Sequence, residues 1–201
     1  MTTALHQVMH GVAIKKHASV GEIAAISGLA EDTITNTLTQ AETDGRVTGS
    51  DGRYRLTAAG RMILESEYSR FYGALRDDDA FANAYRQFEE INKTLKTVIT
   101  DWQTMAVGGE RVPNDHSNKD YDEDVIGRLG DMHEKFEPVL NALCAGEARI
   151  GYYRDKLNHA LEQAEDGNGD WVSDAKIDSY HTVWFELHEE LLRLMGTERE
   201  E

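Results

Sequence analysis

Across residues 1–63 the apolar positions come in short periods broken by glycine and threonine; beyond them they form long helical stripes. Leu5, Val8, Met9 and Val12 recur at helical spacing and predict a first helix ending near Lys16. Ser19-Val20-Gly21-Glu22 has the form of a capping box, the serine side chain capping a new helix while the glutamate reaches back to the serine amide. Ile23, Ala24 and Ile26 supply that helix's buried face, and Ser27-Gly28-Leu29 ends it, since glycine takes a left-handed turn without steric cost. A third helix is expected over about residues 31–44, with Ile34, Leu38 and Ala41 inward and Gly45 closing it. Residues 46–48 and 53–56 read as two short strands about Ser50-Asp51-Gly52. Thr57 then caps a helix running through Leu64, Tyr68 and Phe71.

In the second regime Phe81, Tyr85, Phe88, Asn92, Leu95, Ile99 and Trp102 are spaced alternately by four and three, giving three heptads of core positions. The single Asn92 in that seam predicts control of helix register, inside one chain or across a dimer. A polar loop is expected from Gly108-Gly109 to Asp120, then helices over about residues 122–143, where Pro138 would introduce a bend, and 149–164. Ser179 caps a last helix reaching about Met195. In it Thr182, Glu186, Glu189, Glu190 and Arg193 share one arc, while Tyr180, Val183, Trp184, Phe185, Leu187, Leu191 and Leu192 fill the rest. The expected division is residues 1–75 as a small helical module with a hairpin, and 76–201 as an acidic α-helical domain for dimerisation and effector binding.

Charge sharpens that division. The 201 residues hold 37 Asp and Glu against 21 Lys and Arg, a formal charge of −16. Six cations and six carboxylates fall in residues 1–63, so that segment is neutral and the remainder carries the whole excess. Overall acidity opposes wholesale binding to nucleic acid or anionic membranes, and the neutral module escapes that objection. No apolar run approaches the roughly 20 residues of a membrane span and no signal-peptide pattern follows Met1. The lone Cys144 excludes a disulfide framework, so the expected location is the cytoplasm.

The order of helix, helix–turn–helix and hairpin, followed by Leu56-Thr57-x-x-Gly60-Arg61 opening a helix, resembles the winged helix–turn–helix of MarR-like bacterial regulators. Ile23-Ala24, Gly28-Leu29, Gly45-Arg46-Val47 and Asp51-Gly52-Arg53 carry the rest of the likeness, which covers about residues 5–72. The fold class expected is therefore mainly α, an N-terminal winged helix with a small β-hairpin wing followed by an α-helical bundle. The resemblance implies a homodimer reading double-stranded DNA, with the second helix of the motif in the major groove. Its outward side chains are Thr33, Thr35, Asn36, Thr39 and Gln40; Asn and Gln pair with adenine, and Thr reaches a phosphate or a thymine methyl. The helix has no cation of its own, and the wing supplies Arg46, Arg53 and Arg55.

For a small-molecule effector the aromatic-rich helical domain offers Trp102, Tyr152, Tyr180, His181 and Trp184, with Tyr and His as polar handles in an apolar cavity. His181 and His188 are about 10.5 Å apart in rise, too far to share an ion, so no metal and no cofactor is expected. Asp166-x-Asn168-x-Asp170 lacks the glycine and glutamate of a calcium loop, Trp171 and Ile177 standing at those positions. No nucleophile motif or phosphate-binding glycine loop marks a catalytic site, and no enzymatic activity is expected. Asp101-Trp102-Gln103, Pro113-Asn114-Asp115-His116-Ser117 and residues 179–191 are also similar to actinobacterial modules that accompany phosphoenolpyruvate-synthase-like phosphotransferases. That likeness implies an alternative: a non-catalytic regulatory or scaffold subunit whose winged helix binds protein.

Overall fold

The computed structural model describes residues 2–197, which are mainly helical with a small antiparallel sheet. They form two compact units, one of residues 2–78 with 188–197 and the other of Asp79–Leu187. Among the described residues no helix is long and apolar enough to cross a membrane.

The first unit runs α1 (Ala4–Lys15), β1 (Ala18–Ser19), α2 (Val20–Ser27), α3 (Glu31–Thr43), β2 (Val47–Ser50), β3 (Arg53–Leu56) and α4 (Ala58–Arg76). The expected capping box starts α2: the Ser19 hydroxyl accepts from the Glu22 amide and the Ser19 amide donates to the Glu22 carboxylate. β2 and β3 form a hairpin whose two turn residues, Asp51 and Gly52, both have positive φ (52° and 74°), the demand of a tight hairpin turn. β1, only two residues long, pairs antiparallel with β3 and completes a sheet in the order β1-β3-β2. Two residues carry no alternation, so nothing in the sequence announces that strand. Val8, Val12, Ile23, Ile34, Leu38 and Leu64 are fully buried, as their spacing predicts. Gly60 is forced by contact: a Cβ there would lie 1.9 Å from the Arg46 carbonyl oxygen. The same carbonyl accepts from the amide of Thr57, whose hydroxyl caps α4.

The second unit comprises α5 (Asp79–Gln103), the hairpin β4 (Thr104–Val107) and β5 (Glu110–Pro113), α6 (Lys119–Gly146), a 3₁₀ turn (Ala148–Ile150), α7 (Gly151–Glu165), α8 (Asp170–Ser173) and the first half of α9 (Tyr180–Met195). A loop is expected from Gly108-Gly109 to Asp120, and the structure corrects this over Glu110–Pro113, which is a strand. Gly108 and Gly109 take φ of 61° and 90° and join two strands, a Gly-Gly hairpin signal masked by the polar flanks. Asp101 anchors the hairpin to α6 by accepting from Arg128 and Arg111, each at 2.9 Å, and the Arg128 hydrogen bond in particular holds its carboxyl below the usual range. In the heptad seam, Phe88 stacks on Trp184 at 4.9 Å, and Phe136 closes on the same ring at 4.6 Å. Asn92 is buried among them and accepts from Trp184 Nε1 at 3.0 Å. Its polar group is thus used within one chain, to satisfy an indole.

α9 serves both units, contributing its residues before His188 to the second and those from His188 onward to the first. The sequence arc places Glu190 in solvent, and the structure corrects that: Glu190 is 0% exposed. Its carboxylate lies 2.7 Å from His10 Nε2, and His10 Nδ1 lies 2.6 Å from the Tyr68 hydroxyl. One imidazole thus bridges the two groups, its Nε2 toward Glu190 and its Nδ1 toward Tyr68. Burial pushes the Tyr68 hydroxyl far above its ordinary pKa, keeping it a donor. Phe185, expected on the apolar arc, is instead 39% exposed.

Two substitutions test this packing. Gly60→Ala should cost about 1–3 kcal/mol or more, because backbone occupies the methyl's space; the urea midpoint measures it. His10→Ala should cost about 3–5 kcal/mol by leaving a buried carboxylate without its partner, whereas an exposed control, Thr97→Ala, should leave the midpoint within error.

Candidate functional site

α3 has two faces of opposite character. Ile34, Leu38 and Ala41 are fully buried against the first unit, while Thr33, Thr35, Asn36, Thr39 and Gln40 are all exposed. Of these, Thr39 donates its hydroxyl to the Thr35 carbonyl and Gln40 donates its amide to Asp44 at 2.9 Å. The side chains of Thr33, Thr35 and Asn36 make no such bond. The acidic groups around the helix have structural work: Glu31 and Asp32 occupy the first turn, where the helix dipole favours negative charge, and Glu42 accepts from the Gly49 amide at the hairpin.

The hairpin arginines are less available than the sequence implies. Arg53 donates to the His17 carbonyl and to Glu22, at 2.6 Å and 2.9 Å through the same nitrogen. Arg46 is half-buried beside Asp44. Arg55 is exposed and, among the described residues, without a salt bridge. Burial alone would raise the Glu22 carboxyl, but the bonds from Ser19 and Arg53 outweigh it and hold the group below the usual range. One carboxylate thus caps α2 and restrains the arginine nearest the hairpin turn.

In the second unit, of the five effector candidates, Tyr180 and Trp184 stack on each other with ring centroids 6.1 Å apart. Tyr180 and Trp184 are core side chains: Tyr180 bonds His133 at 2.9 Å, and Trp184 is enclosed by Phe88 and Phe136. Tyr152 packs on Tyr153 and lies under the Lys156 ammonium. His181 is half-buried, its pKa lowered by burial. Trp102 lines an open cavity of about 660 Å³. The enclosure of Tyr180 and Trp184 has a plain cause, since large aromatic rings gain more by packing on one another than by walling a void.

Beside Trp102 stands His116, which sequence reasoning did not single out as an effector residue. Its ring is 4.4 Å from the indole, and its Nδ1 is 3.1 Å from Asp122, a buried carboxylate that also accepts from Asn114. Asn114 donates to the Trp102 carbonyl and accepts from the His116 amide, which fixes a left-handed backbone at His116 (φ 57°). Gly169 closes over the Trp102 ring, where a Cβ would sit 3.1 Å from it. The signal lay in Pro113-Asn114-Asp115-His116, legible as a segment but not as a contact with α5 and α6. Among the described residues no group of His, Cys, Asp and Glu is arranged to hold a metal ion.

Comparison with family models, curated proteins and solved structures finds no match.

The restraint on Arg53 is pH-dependent with a defined sign. Glu22 is more acidic in the folded state than in the unfolded chain, so its contribution is present above about pH 4.3, the ordinary glutamate value, and is lost as pH falls through the lower folded value. The urea midpoint of Glu22→Gln should therefore lie below wild type at pH 6, and the gap should narrow at pH 3.

Proposed function

We propose that residues 4–76 form a winged helix–turn–helix that binds double-stranded DNA as the reading head of a cytoplasmic, homodimeric transcriptional regulator. The observation that carries this reading is the two-faced α3, with an apolar side wholly buried and an uncharged polar side wholly exposed. Asn36 is uncommitted and matches the two-point edge of adenine; Thr33 and Thr35 offer hydroxyls to phosphates and methyls to thymine. Arg53 and Arg55 on β3, with Arg46 before β2, supply the charge that α3 lacks. Two such helices, one per protomer, would read two half-sites. An effector would seat in the cavity beside Trp102 and His116, where an aromatic face and an oriented imidazole meet open space.

A second reading has an observation of its own. Arg53 is already bonded to Glu22 and His17, which suits a module that binds protein, as in a regulatory subunit of a phosphoenolpyruvate-utilising phosphotransferase.

A gel shift across a salt series, with duplexes from upstream of its own gene and random DNA, separates the two. The DNA reading expects one duplex to be preferred and Asn36→Ala to erase the preference. It also expects Glu22→Gln to free Arg53, tightening binding and steepening the salt slope by about one unit. Equal binding of all duplexes at low salt defeats it in favour of the protein partner.

A further inference from the structure

We propose that the first unit holds a binding site for a small phosphorylated organic molecule, in a groove of about 350 Å³ that is separate from the exposed face of α3. Four cations from four elements line it: Lys16 at the end of α1, Arg55 on β3, Arg61 in α4 and Arg193 in α9. One carboxylate, Glu189, joins them, and it is bonded to Arg193 at 2.7 Å. In a chain of net charge −16 this is a local reversal of sign.

Three features point to a missing anion. Among the described residues the guanidinium groups of Arg55 and Arg61 make no hydrogen bond or ion pair, in a chain rich in carboxylates. Arg61 is the fourth residue of α4, a helix with no acidic residue in its first turn, where the dipole disfavours a cation. Arg193 Nε is buried without an acceptor, a state that costs free energy until one arrives. Arginines spread over a convex surface would be hydrated separately; these converge on one concavity, where their mutual repulsion is relieved by a shared anion.

The chemistry narrows the ligand. Guanidinium forks match phosphate oxygens in pairs, and more than one fork suits a group with two negative charges. Val12 and Leu56 give the groove an apolar side that takes a carbon body. The volume lies at the small end of ligand sites, which fits a phosphomonoester of modest size. A backbone phosphate of DNA carries the same group, so the test must separate the two sources.

The experiment is isothermal titration of the full chain with phenyl phosphate and with pyrophosphate, against sodium chloride at matched ionic strength. Both probes should bind saturably, and Arg61→Gln and Arg55→Gln should each weaken binding about tenfold or more. Arg86→Gln, on the exposed side of α5, should bind as wild type, and circular dichroism melts confirm that every variant is folded. No saturable binding beyond the salt control overturns the proposal, as does binding indifferent to both groove variants. If neither probe binds while Arg61→Gln lowers the salt slope of duplex binding, the groove takes DNA backbone and the small-ligand proposal is likewise overturned. A gel shift that finds no preferred duplex bears on α3 alone and leaves this result to stand on its own.

Discussion

The buried bond between Glu190 and His10, extended to Tyr68, is the constraint on which the first unit turns. A carboxylate taken wholly out of water loses hydration worth several kcal/mol and recovers it only from well-placed partners. Here the partners come from α1 and α4, so three helices must be in register before the charge is tolerable. Apolar packing alone would let α9 slide or rotate against α1; a buried, directional bond between the two does not. Arg76 adds to the fixation by donating to the Leu194 carbonyl, which occupies a backbone acceptor at the end of α9.

Much of the helical framework was legible because it is written in local chemistry. The Ser19–Glu22 capping box, the left-handed Gly28, the Thr57 cap and the Asp51-Gly52 turn each depend on residues within a few positions of one another. The heptad stripe of α5 was legible for the same reason, since periodicity is a property of one segment. What escaped was set by partners far away in sequence. Glu190 lies on an arc that looks wet until His10 arrives from 180 residues upstream. Gly60 reads as part of a motif, but its reason, the Arg46 carbonyl, belongs to the fold.

The candidate surfaces divide along the same line. The exposed face of α3 follows from helix geometry, and all five of its polar residues stand where the spacing puts them. The arrangement of the aromatic set in the second unit was not legible, because composition shows which side chains are large but not which of them meet. His116, Asp122 and Asn114 lie within nine residues of one another, yet their significance comes from Trp102, to which only the folded chain brings them. The Lys16–Arg61 groove is likewise assembled from four elements that lie far apart in sequence.

The division of α9 between the two units sets an order of events during synthesis. Residues 2–78 leave the ribosome early, but the helix that completes their core follows more than a hundred residues later. At translation speeds of about 5–20 residues per second, the face of α1 and α4 around His10 and Tyr68 waits on the order of ten seconds for its last helix. Throughout that interval His10 and Tyr68 stand without the carboxylate that completes their chain of bonds. The late arrival of Glu190 then acts as a folding checkpoint: the first unit closes only after the chain that builds the second has been made.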